Sequence, residues 1–309
     1  HSQKFQNKKH TKIFTAGGFT MSINYRQDIS RRTLILSGSS LLTAPLSAFG
    51  VSDSVLQIGL TPVFLDSRSG FLERWRKYLE DQLGQPVNFI QRRSYADILE
   101  LLLNGQLSAA WLCGYPYVRY KSALQLLAVP IYQGAPTYTA YIITGPSAQQ
   151  VRHFNELRAK VFAYSDPLSN SGFLFAQDQL HAIGEKDNRF FRKTFFAFGH
   201  QNVIAAVSDG LADAGSVDGY VWDSLNQINP DLTQQTRILT RSRKFGFPPF
   251  VAPKSRPNHE VVRLKKALLN MHSTSVGAPL LRELNLDGFE NGKTSLFAEI
   301  EAMMKRIKA

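Results

Sequence analysis

Cysteine is almost absent from this chain: Cys113 stands alone among 309 residues. An internal disulfide and any site built from several thiolates are therefore excluded. Within Ala109-Ala110-Trp111-Leu112-Cys113 the thiol reads as a small buried hydrophobe. Long apolar runs are missing too. A membrane helix needs about twenty apolar residues, and the nearest candidate, Leu34 to Leu46, is broken by Ser37, Gly38, Ser39, Ser40 and Pro45. The chain also lacks internal repeats, low-complexity tracts, a Walker loop, a dinucleotide glycine fingerprint and a cluster of metal ligands, so no cofactor and no metal are expected. Acidic residues are scarce at one end only. Residues 1–50 hold seven Lys/Arg against Asp28 alone, leaving 29 basic and 23 acidic residues from 51 onward. Half of the formal +12 thus belongs to the first fifty residues, and nucleic acid is not expected as a partner.

What those fifty residues do carry is the pattern of an export signal. Ser30-Arg31-Arg32-Thr33-Leu34 precedes a short apolar core that ends in Ala48-Phe49-Gly50, which is the layout of a cleavable leader of twin-arginine type. Met21 is the expected native start, and cleavage after Ala48 or Gly50 would release a soluble chain from about Val51 into the periplasm. No cysteine follows the apolar run, so lipid attachment at such a site is excluded.

The mature part alternates strand and helix signals. Val55–Leu60, Pro86–Ile90 and Leu107–Leu112 read as strands; Phe71–Leu83 and Tyr95–Asn104 show apolar residues at helical spacing. Successive βα units give a parallel sheet with helices on both faces, and ligands in such sheets sit beyond the carboxyl ends of the strands. Two extended segments, Leu126–Tyr132 and Thr137–Thr144, then lead into a second series: Lys160–Ala163, Phe190–Phe198, helix Gln201–Ser208, and Ala214–Val217 followed by a helix. Thr236–Thr240, a return through Phe247–Val251, and amphipathic helices over Val261–Leu269 and Leu296–Ile307 close the chain. This predicts an α/β protein of two lobes hinged about a cleft. Lobe 1 is residues 51–137 with 250–309, and lobe 2 is 138–249.

The stretch Tyr164-Ser165-Asp166-Pro167-Leu168-Ser169-Asn170-Ser171-Gly172-Phe173 is a strand-to-helix turn rich in hydroxyls. Two readings apply. Free N–H groups at a helix start attract anions, and Ser169, Asn170 and Ser171 add side-chain donors at the same mouth; equally, Ser and Asn are ordinary helix caps.

The order of motifs resembles that of periplasmic phosphonate/phosphite/phosphate-type solute-binding proteins of ABC importers. The motifs are Gly59-Leu60-Thr61-Pro62; Ala110-Trp111-Leu112 with Gly114 and Tyr117; Tyr132-Gln133-Gly134 with Tyr138 and Tyr141; Asp166 to Gly172; Gly199-His200; and Ala205-Ala206-Val207 through Val217-Asp218. The resemblance spans residues 55–300 and implies a type II periplasmic-binding fold with a small oxyanion between the lobes. It also implies a membrane permease as partner and, in the turn matching Ser169–Ser171, the head-group site. Asn170 stands where that family usually shows Thr.

On this reading Ser169, Asn170 and Ser171 donate to the anion, Gly172 permits close approach, and His200 adds an imidazole N–H. Asp218, at a strand end, either caps a helix or accepts a hydrogen bond from a protonated oxyanion or an amine. Tyr138 and Tyr115 are candidates for lining the cleft, and Thr61 closes the first strand. Arg92 and Arg93 read as a solvated loop. No catalytic residue is assigned and a monomer is expected. The alternatives are an exported sensor or a binder of a sulfonate or pyrimidine. A serine hydrolase using Ser171, His200 and Asp218 is a more distant one, because no Gly-x-Ser-x-Gly elbow surrounds Ser169 or Ser171.

Overall fold

Alternation of buried strands with helices carrying one apolar face builds the first lobe. In the computed structural model, which describes residues 55–61 and 69–308, the chain runs β1 (Leu56–Leu60), α1 (Ser69–Leu83), β2 (Val87–Gln91), α2 (Tyr95–Leu103), β3 (Ala109–Trp111) and α3 (Gly114–Arg119). The segment on which the export-signal reading rests lies outside the described residues. Gly84, at φ +61°, ends α1 in a conformation that costs glycine nothing. Ser94 opens α2 by accepting the Asp97 N–H at 3.2 Å.

From there the chain enters β4 (Leu124–Ile131) and crosses to β5 (Thr137–Thr144). The second series follows with β6 (Val161–Tyr164), α4 (Phe175–Ala182), α5 (Asp187–Phe190), β7 (Lys193–Phe196), α6 (His200–Ser208), β8 (Ala214–Asp218), α7 (Gly219–Ile228), α8 (Pro230–Gln234) and β9 (Arg237–Gly246). The chain then returns through β10 (Phe250–Pro253) to α9 (Asn258–Leu269), α10 (Gly277–Glu283), β11 (Gly288–Glu290) and α11 (Ala298–Lys308).

Two sheets result, ordered β11-β4-β10-β3-β1-β2 and β7-β6-β8-β5-β9. The chain passes between them at residues 132–136 and again at 247–249. In both sheets the βα strands pair in parallel (β1 with β2 and β3; β6 with β7 and β8), so their carboxyl ends gather at one rim of each lobe. The first core is centred on Trp75, which is fully buried against Phe89, Trp111 and Phe250 at ring separations of 5.1–6.0 Å. Truncating such a ring to alanine costs about 3–5 kcal/mol.

The last helix ties the lobes together. Glu301 of α11 takes Lys121 beyond α3, while Arg306 forks onto Asp178 of α4 at 2.9 and 3.0 Å. Several elements differ from expectation. Phe190–Phe198 is not one strand, because Asp187–Phe190 winds into a helical turn before β7 begins. The helix expected after the strand-to-helix turn begins within it, as a π-helical turn over Asn170–Leu174. β11, only three residues long, was not anticipated; its support is antiparallel pairing with Val129–Ile131 of β4 rather than any local pattern. No helix among the described residues is long and apolar enough to cross a membrane.

Candidate functional site

The turn after β6 is held by its own side chains. Asp166 accepts the Leu168 N–H at 2.8 Å, and Ser169 Oγ accepts the Gly172 N–H at 2.9 Å. The wide turn closes with Leu174 N–H on the Ser169 carbonyl at 3.0 Å, while Ser216 of β8 donates to the Ser171 carbonyl at 2.6 Å. Gly172 is required by packing: a Cβ there would lie 1.7 Å from Ser165 Oγ and 2.6 Å from Ser165 Cβ. The missing side chain therefore makes room for the end of β6. Ser169 is a cap, as one reading of the turn held, and the Gly172 N–H, one of the helix-start N–H groups that the other reading offers to an anion, is tied to it.

The remaining polar atoms are not spent in this way. Four buried side-chain atoms among the described residues have no hydrogen-bond partner, and three belong to this turn: Ser165 Oγ, Asn170 Oδ1 and Ser171 Oγ. All three residues are essentially inaccessible to solvent. Ser171 is close enough to Tyr138 to act on its hydroxyl without forming a well-shaped bond, whereas Asn170 Nδ2 donates to the Tyr138 hydroxyl at 2.9 Å. An unmatched buried polar group costs about 1–3 kcal/mol, so three in one turn concentrate an unusual cost at one place.

Lobe 1 meets the turn through residues that sequence reasoning did not select. Tyr95, first in α2, donates its backbone N–H to Asp166 at 3.0 Å, and its hydroxyl lies 3.2 Å from His200 Nε2. Cys113, just before α3, accepts the Asn170 N–H at 3.3 Å. Both sit at strand ends of the first sheet, where ligands of such folds gather. That position was the available signal, but an aromatic and a cysteine amid apolar neighbours look like core.

His200 has a fixed tautomer. Its Nδ1 faces the Asp218 backbone N–H at 3.0 Å, which can only donate, so the ring proton is on Nε2 and points to Tyr95. Burial drives the imidazole pKa down to about 3, making it a neutral donor. Asp218 caps α7 by accepting the Tyr220 N–H at 2.9 Å, with Val221 also donating; desolvation outweighs these bonds and pushes its pKa up to about 8. Burial raises the pKa of Asp166 and of the Tyr95 and Tyr138 hydroxyls, and takes the Cys113 thiol to about 12.

Ser169, Asn170, Ser171, Gly172, His200, Asp218 and Tyr138 thus come together, with Asp218 in its capping role. Thr61 does not join them, since its hydroxyl donates to the Trp111 carbonyl at 3.1 Å. Tyr115 is half-buried and packed against the hydrophobic core, and among the described residues its side chain makes no hydrogen bond with the turn. Arg92 and Arg93 are exposed, and among the described residues no Lys or Arg is buried. Nor is there, among those residues, a group of three His, Cys, Asp or Glu side chains placed to hold a metal ion. Ser171, His200 and Asp218 form no relay: both imidazole nitrogens are engaged by Tyr95 and the Asp218 backbone, while the carboxylate faces α7.

The family model described as ABC transporter, phosphonate, periplasmic substrate-binding protein matches residues 58–297. The phosphate-import protein PhnD of Mycolicibacterium smegmatis is 28% identical over 150 residues; the match covers 45% of this chain and about half, 47%, of that relative. PhnD1 from Prochlorococcus marinus, solved with methylphosphonate, superposes with a TM-score of 0.73 at 19% identity, covering 83% of this chain and 99% of that one. A binding-protein component of an ABC phosphonate transporter from Pseudomonas aeruginosa gives 0.75 at 16% identity, covering 82% and 86%. At these identities the structures establish a common two-lobed, type II periplasmic-binding fold.

Proposed function

The chain belongs to the periplasmic phosphonate substrate-binding proteins of ABC transporters, and from that premise we propose that it captures a small phosphorus oxyanion between its lobes and delivers it to a membrane permease. The observation that carries this reading is the trio of buried, unmatched polar atoms on one strand-to-helix turn, Ser165 Oγ, Asn170 Oδ1 and Ser171 Oγ. A phosphonate, phosphite or phosphate ester offers oxygens to both hydroxyls, to the Asn170 N–H now resting on Cys113, and to the His200 Nε2–H now resting on Tyr95. Neutral donors suffice for such an anion, because oriented N–H and O–H dipoles stabilise charge in a site from which water is excluded.

The described residues within 51–137 and 250–309 form one lobe and 138–249 the other, and the two turn about the crossings at 132–136 and 247–249. Tyr95 and Cys113 approach from the first lobe; the turn, His200 and Asp218 approach from the second. Ligand that binds the closed arrangement better than the open one shifts the population toward closure, and the permease recognises that form. The chain acts as a monomer, exported and freed of its leader, and its role is binding rather than catalysis.

The test is a thermal-shift screen of phosphate, phosphite, methylphosphonate, 2-aminoethylphosphonate, sulfate and taurine. A ligand that binds only the folded state at a hundred times its Kd adds about 2.7 kcal/mol, so at least one phosphorus oxyanion is expected to raise the melting temperature by several degrees. A screen in which sulfonates stabilise the protein and no phosphorus compound does would overturn the assignment.

A further inference from the structure

One group in the turn has the wrong chemistry for a bare anion. The Ser165 and Ser171 hydroxyls rotate and can donate, but Asn170 Oδ1 can only accept. In the structure the amide turns its Nδ2–H to the Tyr138 hydroxyl at 2.9 Å, and the carbonyl oxygen is left buried without a partner. A tetrahedral anion with no proton would set its lone pairs against that oxygen, a mismatch that selects against it.

The charges around the turn point the same way. Asp166 and Asp218 are carboxyl groups, His200 is neutral, and burial keeps Tyr95, Tyr138 and Cys113 protonated. With no Lys or Arg among the described buried residues, a second negative charge on the ligand would enter uncompensated.

We propose that Asn170 is a specificity-determining residue: its carbonyl oxygen accepts a hydrogen bond from the ligand's own P–OH, so the protein selects the singly protonated monoanion of a phosphonate, phosphite or phosphate ester. Doubly ionised forms and sulfate, which have no proton to give, are rejected. The inference rests on the reading of the turn as an oxyanion site.

Calorimetric titration with methylphosphonate below and above its second ionisation tests it, with sulfate as the proton-free comparison. The expected result is an affinity that falls about tenfold for each pH unit above that ionisation, and no sulfate binding. Asn170→Thr, whose hydroxyl either donates or accepts, should flatten the fall and admit sulfate. Asp218→Asn, carried through the same series, removes a carboxyl group that itself titrates at about 8, so a fall that persists in this variant belongs to the ligand's proton, and a fall lost with it would overturn the proposal. Equal affinity for both ionisation states, or sulfate bound as tightly as methylphosphonate, would overturn the proposal and indicate that the amide presents its N–H instead. So would an Asn170→Thr protein with unchanged pH dependence and unchanged rejection of sulfate. Failure of every phosphorus oxyanion to bind at any pH is a different outcome, and it removes the oxyanion reading itself.

Discussion

Gly172 offers a quantitative test of how the turn is built. Adding a methyl group there places a carbon 1.7 Å from Ser165 Oγ, 2.6 Å from Ser165 Cβ and 3.0 Å from Ser169 Oγ, whereas carbon atoms pack comfortably at about 3.5–4.0 Å. Rotating the serine hydroxyl relieves the first contact but not the second, so the end of β6 and the turn must separate by roughly 1 Å. Overpacking of this kind costs about 1–3 kcal/mol. Strain on the Ser169 cap, whose bond to the Gly172 N–H is 2.9 Å, adds about 1 kcal/mol. Gly172→Ala should therefore destabilise the unliganded protein by about 2–4 kcal/mol. Ser165→Gly removes both obstructing atoms and by itself costs about 0.5–1 kcal/mol in chain entropy. The double variant should be no worse than about 1–2 kcal/mol, a favourable coupling of about 2 kcal/mol. Urea denaturation of the four proteins at one pH, without ligand, measures this. Effects that add to within about 0.5 kcal/mol would refute the claim that Ser165 fills the space beside Gly172.

Further expectations follow from burial. Asp218, raised to about 8, holds a proton in the folded state that the unfolded chain has already released, so its contribution to stability is lost as pH rises toward 8. His200, lowered to about 3, refuses a proton that the unfolded chain takes up below about 6.5, so stability is lost as pH falls through that range. The two effects oppose one another between about pH 4 and 6.5. Above that only Asp218 acts, and urea midpoints without ligand should report a loss of about 2 kcal/mol between pH 6.5 and 8. Asp218→Asn should abolish the loss; an unchanged slope in that variant would contradict the assignment. Cys113, buried and with a thiol pushed up to about 12, should react with a soluble thiol reagent about a thousandfold more slowly than a free cysteine. Saturating methylphosphonate should slow it further by holding the lobes closed. Labelling at the free-thiol rate, indifferent to ligand, would place Cys113 away from the moving seam.

Much of this molecule was legible before its coordinates. Although it does not announce the antiparallel partners β4, β5, β9, β10 and β11 that make each sheet mixed, the βα alternation announces the parallel strands of both sheets, since period and turn residues are local signals. The same holds for Asp166–Gly172, where hydroxyl-rich composition at a strand-to-helix junction marks the turn whatever surrounds it. What each residue does there was not legible. Ser169 spends its hydroxyl on the Gly172 N–H while Ser171 does not, a difference set by a π-helical turn that composition cannot announce. Tyr95 and Cys113 were hidden because their side-chain types belong equally to cores, and their partners lie 57 to 105 residues away in the chain. Tyr115 and Thr61 look equally suitable in sequence, yet Thr61 serves the Trp111 carbonyl and Tyr115 lies half-buried against the hydrophobic core.

The most direct test of the oxyanion turn is a calorimetric titration of the wild-type protein and of the Ser171→Ala, Asn170→Ala double variant with methylphosphonate, beside a melting curve for each. One bound ligand per chain is expected for the wild type. In the double variant binding should fall at least a hundredfold, about 2.7 kcal/mol, while a cooperative melting transition is kept. Affinity unchanged in the double variant would mean that the anion, if held at all, is held somewhere else.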